Sequence, residues 1–148
     1  MTLNFNPEDI TISAYEPADL FEVSELYMQV ARKTFPHDPS DPVHSGSFIQ
    51  ITRGEDVWIM KHKGKIIGFI GYQVPNRFLH SLYLDYTYHG AGLGRKMIEF
   101  LIGTYGSGHT LKVVKTNRDA LKFYRHLGYT DITSPLDAQQ NWLLMSSP

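Results

Sequence analysis

Tyr88-His89-Gly90-Ala91-Gly92-Leu93-Gly94-Arg95-Lys96 sets glycine at alternate positions from 90 to 94, directly after a strand-like run and directly before a helix-like one. That layout suits a phosphate. Without Cβ atoms the backbone N–H groups can approach an anion closely, and the positive end of the following helix favours negative charge there. Two familiar nucleotide loops fit poorly. A dinucleotide-binding fingerprint needs glycine where Arg95 stands, in a loop that follows the first strand of its unit. A Walker-type loop needs Gly-Lys followed by Ser or Thr, which is absent.

Working upstream, Phe78 to Leu84 reads as the strand that feeds the loop. Asp56 to His62 and Lys65 to Gln73 are β-rich runs separated by Lys63-Gly64, a hairpin signal. Pro36 to Ser47 holds three prolines, two aspartates and two histidines, which predicts an irregular lid. Before it, Leu20, Val23, Tyr27, Val30 and Ala31 fall three and four apart, predicting a helix from about Ala18 to about Thr34. Ile10 to Tyr15 alternates apolar and polar residues and predicts a first strand.

Downstream, Leu93, Met97 and Leu101 share one helix face, with a stop before Gly103 or Gly106. Leu111 to Lys115 predicts a short strand. Arg118 to Leu127 predicts a helix with Asn117 as N-cap, Asp119 complementing the dipole and Gly128 as stop. Short strands near Tyr129 to Thr133 and Asn141 to Met145 follow. The order predicts a mixed sheet with helices packed on it, an α/β or α+β design.

Composition narrows the function. The 148 residues suit one domain, 1–148, with a real core. A net charge of -1 gives no field to hold nucleic acid or an anionic membrane. There is no cysteine, hence no disulfide framework, thiol nucleophile or Cys-based zinc site. This is consistent with a reducing, cytoplasmic setting. Met1 to Ile10 lacks the basic start and apolar stretch of a signal peptide, and no run approaches membrane-span length. His37, Asp38, Asp41 and His44 are ligand-type residues, but a proline-rich loop with mixed spacings lacks the outer-shell order of a metal site, so no metal is expected.

The segment from Leu82 to Met97 resembles the acetyl-coenzyme A signature of the GNAT superfamily of N-acetyltransferases, Gln/Arg-x-x-Gly-x-Gly/Ala, with His89 in place of the usual Gln or Arg. A second segment, Asn117-Arg118-Asp119-Ala120-Leu121-Lys122-Phe123-Tyr124-Arg125-His126-Leu127-Gly128-Tyr129, is similar to the family's Asn-x-x-Ala-x-x-Phe-Tyr-x-x-x-Gly-Phe/Tyr. It lies about two dozen residues beyond the first, in the family's order. Each of these residues alone also reads as a cap, a core stripe or a helix stop. The two motifs in register do not.

The resemblance implies a mostly antiparallel sheet of six to seven strands flanked by about four helices and splayed at the acetyl-CoA site. It implies an enzyme that moves an acetyl group from acetyl-CoA to a primary amine of a small molecule or protein, in a ternary complex. It also leaves open a catalytically idle acyl-CoA-binding or sensing module. Members often pair, which leaves a homodimer open. His89, Gly90, Ala91, Gly92, Leu93, Gly94 and Arg95 would hold the phosphates, with Lys96 in reach. Backbone groups of Leu82, Tyr83 and Leu84 would bind the pantetheine arm, and Asn117 would contact it. Tyr124 matches the family's general acid. His80 matches the base of aromatic-amine members, two residues before Leu82, and a water chain is the alternative base. In a regular strand His80 would share the face of Leu82. Trp58 and Tyr72 are expected to pack on the sheet. The acceptor itself has no motif.

Overall fold

The computed structural model describes residues 5–34 and 47–148. Strand β1 (Ile10–Ala14) leads through a 3-10 turn at Pro17–Asp19 into α1 (Leu20–Thr34), whose Val23, Leu26, Tyr27, Val30 and Ala31 are buried. Four of these are the predicted stripe, while Leu26 is buried in addition and Leu20 only partly, and fully burying each large apolar side chain is worth about 1.5–3 kcal/mol. Of the predicted lid, residues 36–46, with the four ligand-type residues above, lie outside the described residues. Ser47 does not continue the loop. It caps a short helix, α2 (Phe48–Ile51), that composition alone did not suggest. Ser47 Oγ accepts from the Gln50 N–H while Gln50 Oε1 accepts from the Ser47 N–H, a capping box whose Ser-x-x-Gln spacing is present in the sequence.

Next come β2 (Asp56–His62), β3 (Lys65–Gln73) and β4 (Phe78–Leu84), then α3 (Leu93–Tyr105), β5 (Thr110–Val114), α4 (Arg118–His126), β6 (Thr130–Asp131) and β7 (Trp142–Ser146). The strands form one sheet in the order β1-β2-β3-β4-β5-β7-β6. Every neighbouring pair is antiparallel except β4 and β5. The predicted mixed sheet and its flanking helices are therefore observed. β6 is shorter than the predicted Tyr129 to Thr133: the Tyr129 N–H donates back to the Tyr124 carbonyl, and although the Ile132 N–H still donates to the Leu144 carbonyl, the Leu144 N–H donates to Thr133 Oγ1 and the Thr133 N–H to Asp131 Oδ1.

Each face of the sheet carries its own core. On one, α1 and α2 cover Ile59, Ile66 and Phe69. On the other, Met97, Ile98 and Leu101 of α3 and Leu121 and Tyr124 of α4 pack on Ile70, Tyr72, Leu79, Leu111 and Met145. Tyr72 and Trp58 do pack as expected. Tyr72 stacks on Tyr105 at 4.3 Å between centroids, and Trp58 meets Phe100 edge-on while its indole N–H donates to the Tyr105 hydroxyl.

Candidate active site

The parallel ladder between β4 and β5 holds only two residue pairs, Phe78 with Thr110 and Leu79 with Leu111. Beyond them the strands diverge. The divergence opens beside Leu82, Tyr83 and Leu84, which are partly exposed. The last of these runs through a 3-10 turn, Tyr86–Tyr88, into the glycine loop.

In the loop, Gly90 and Gly92 both have φ near +81°, and a Cβ on either would meet no atom within 4 Å. Backbone conformation, rather than space, therefore demands glycine there. Gly92 is the N-cap of α3, and the N–H groups of the first turn are unsatisfied by the helix itself. An open, glycine-lined turn ending at a helix N-terminus suits a pyrophosphate, so the residues present fit acetyl-CoA. Ala91 and Lys96 are partly exposed, Arg95 exposed and Leu93 buried.

His89, the departure from the family pattern, has a structural explanation. Its Nε2 donates to the Leu84 carbonyl at 2.9 Å, and its ring stacks on Tyr86 at 4.5 Å. Tyr86 is in turn tied by a 2.6 Å hydrogen bond between its hydroxyl and Thr34 Oγ1 at the end of α1, with the Lys33 ammonium 4.7 Å above its ring. The histidine thus clips the loop back onto the strand that precedes it.

Gly94 serves a different purpose from its neighbours. A Cβ there would stand 2.9 Å from the Phe123 ring, so the first turn of α3 lies directly on α4. The two sequence motifs meet at this contact. On α4, Asn117 Oδ1 accepts from the Ala120 N–H, the predicted cap. Tyr124 is 9% exposed within the core beneath α3 and α4, edge-on to Tyr129. Burial first, and Tyr129 second, push its phenol well above the ordinary tyrosine range, so the proton stays on it at neutral pH.

The structure corrects the face of His80. Regular alternation would set it beside Leu82, but the ladder steps from Gly71–Ser81 directly to Tyr72–Leu79 and leaves His80 as an extra residue. This β-bulge breaks the period of two. Leu79 and Leu82, three apart, both reach the core under α3 and α4, while His80 turns toward the opposite face. There its Nδ1 lies 2.7 Å from Glu55 Oε2, with Phe78 at 6.3 Å between ring centroids.

Glu55 is the residue that sequence reasoning missed. It stands just before β2 as an ordinary charge, yet its side chain is only 2% exposed. Oε2 also accepts from Gln73 Nε2 at 3.1 Å, and Oε1 is buried without a partner. Space for it comes from Gly71, where a Cβ would stand 2.6 Å from Oε1. A glycine inside a strand is the sequence signal that something approaches closely. Among the described residues no group of three or more His, Asp or Glu is placed to hold a metal ion, and no helix is long and apolar enough to cross a membrane.

Residues 20–129 match the family model described as the Acetyltransferase (GNAT) family. A curated relative, the 5-NmdU N-acetyltransferase of Pseudomonas phage PaMx11, is 31% identical over 109 residues, covering 70% of this chain and 77% of that one. The PaiA N-acetyltransferase of Thermoplasma acidophilum, solved in complex with coenzyme A, superposes with a TM-score of 0.74 at 17% identity, covering 93% of this chain and 98% of that one. The ribosomal-protein-S18-alanine N-acetyltransferase of Escherichia coli gives 0.65 at 20% identity, over 94% and 93%.

Proposed function

Because the chain belongs to the GNAT acetyltransferase family, we propose that residues 1–148 act as one domain that transfers an acetyl group from acetyl-CoA to a primary amine by direct attack in a ternary complex. The observation that carries this reading is the two-pair β4–β5 ladder opening beside a glycine turn, with Tyr124 buried in the core under α3 and α4. In the reaction the amine nitrogen bonds to the thioester carbon as it gives up a proton. The carbon–sulfur bond breaks, and the sulfur takes a proton. A lysine-like amine, with a pKa of about 10.4, is neutral in only about one molecule in 2,500 at pH 7, a deficit near 4.6 kcal/mol. A base that removes the proton during attack offsets part of that deficit.

Tyr124 is the donor to sulfur in this reading. A free thiol has a pKa of about 8.5 and a free phenol about 10, so donation is uphill in water by about 2 kcal/mol. Desolvation raises both acids, so the gap need not widen in a closed site. His80, or a water chain, accepts the amine proton. Main-chain N–H groups around Leu82 to Leu84 are the expected donors to the developing oxyanion. His89 through Arg95 hold the phosphates, and Asn117 contacts the arm. The absence of cysteine fits a reducing, cytoplasmic setting.

The phage relative makes 5-NmdU the first acceptor to try, followed by a panel of small-molecule and peptide amines. Release of free thiol with a matching acetylated amine is expected. Tight acetyl-CoA binding with no turnover across the panel would instead favour an idle acyl-CoA-binding module. Tyr124→Phe should lower kcat about a hundredfold or more with little change in acetyl-CoA affinity. Undiminished turnover in that variant would remove Tyr124 from the mechanism.

A further inference from the structure

We propose that Glu55 is a positioning residue for His80, fixing the ring so that Nε2 is the nitrogen offered to the acceptor amine. The inference rests on the reading of His80 as base and adds to it a partner from a different part of the chain. Glu55 lies before β2 and His80 on β4, and β3 separates those strands in the sheet. The side chains nevertheless meet at 2.7 Å through Nδ1 and Oε2. Oε2 already accepts from Gln73 Nε2, so it acts as an acceptor here too, and Nδ1 carries the hydrogen. In the neutral imidazole the other nitrogen is then bare. The ring is 39% exposed and the carboxylate 2%, so the pair has one buried, fixed end and one open end.

Three features accompany this arrangement. The bulge takes His80 out of the β4 alternation and turns it toward Glu55. Gly71 removes the side chain that would occupy the carboxylate's place. Glu55 Oε1 is left buried and unpartnered, a cost of about 1–3 kcal/mol for a neutral group and more for a charged one. A core built only for stability would fill that site with an apolar side chain. Holding a histidine by its far nitrogen is a known way of setting tautomer and ring orientation.

The first test needs neither acceptor nor acetyl-CoA. In the 15N-labelled full chain, long-range 1H–15N correlations at neutral pH report which nitrogen of His80 carries hydrogen. The Nδ1–H form is expected in the wild type, with partial loss of that preference in Glu55→Gln. A predominantly Nε2–H ring in the wild type overturns the proposal without needing any variant. The second test is a double-mutant cycle on thiol release from acetyl-CoA, with 5-NmdU or the best amine of the panel. Glu55→Gln should lower kcat about ten- to hundredfold, the usual effect of losing an outer-shell partner, with KM for acetyl-CoA unchanged. On a His80→Gln background it should cost nothing further. Losses that add independently overturn the positioning role. Full turnover in His80→Gln overturns the base assignment, a failure read separately from the tautomer.

Discussion

Lowering the pH from 7 to 4 should remove about 3 kcal/mol of folding stability through one buried side chain, His109. It lies just before β5 and is 0% exposed, with Nε2 2.6 Å from the Tyr129 hydroxyl and Nδ1 buried without a partner. Burial, and secondarily the Arg77 charge, bring its pKa from 6.5 down to about 4. The unfolded chain therefore takes up a proton near pH 6.5 that the folded one refuses until about pH 4. A group with a depressed folded value of this kind contributes its full stability above pH 6.5 and loses it as pH falls, at up to about 1.36 kcal/mol per pH unit. Over the interval between the two values the loss reaches about 3 kcal/mol, a large share of the roughly 5–15 kcal/mol typical of a domain. Urea unfolding at half-unit steps from pH 8 to pH 4, in wild type and in His109→Phe, isolates the effect. Other acidic groups titrate in both proteins, and any packing change in the variant is a constant offset. The wild-type curve should fall more steeply between pH 6.5 and 4. Parallel curves would refute the account, and His109→Gln replaces the phenylalanine variant should that fail to fold.

Two further expectations concern the site. Gly68→Ala would bring a Cβ to 2.7 Å from the Tyr83 carbonyl oxygen and 3.2 Å from Met97 Cε. Backbone cannot swing aside as a side chain does, so β4 around Tyr83, the stretch proposed to bind the pantetheine arm, must move. Stability should drop by about 1–3 kcal/mol with weaker acetyl-CoA binding by calorimetry, and unchanged affinity together with an unchanged melting temperature would contradict this. Asn117→Ala should cost about 1 kcal/mol by loss of the α4 cap, while Asn117→Asp, which caps as well, should restore most of it in thermal melts.

Much of the fold was legible because its elements announce themselves locally. Val23, Tyr27, Val30 and Ala31 of the α1 stripe, the Lys63-Gly64 turn between β2 and β3 and the Asn117 cap each rest on near neighbours in sequence, and each stands where the pattern placed it. What was not legible depends on distant partners. The His80 bulge is visible only in the pairing of β4 with β3, since nothing in Phe78 to Leu84 marks the extra residue. Glu55 looks like any charge at a strand start until Gly71 and His80 are brought beside it. β6 ends before Thr133 because the Leu144 and Thr133 N–H groups pass to the Thr133 and Asp131 side chains, a competition the apolar pattern does not register. The capping box of α2 is local, but it follows directly on a proline-rich run whose composition masks it.

The contact between Gly94 and Phe123 bears on how such a chain can change over time. Positions 94 and 123 lie in separate motifs, yet the space used at one is space withheld from the other. A methyl group gained at 94 would have to be matched by a smaller ring or a shorter side chain at 123. Substitutions at the two positions should therefore be inherited as pairs, and the ligand loop and the tyrosine-bearing helix should drift together as a single heritable unit.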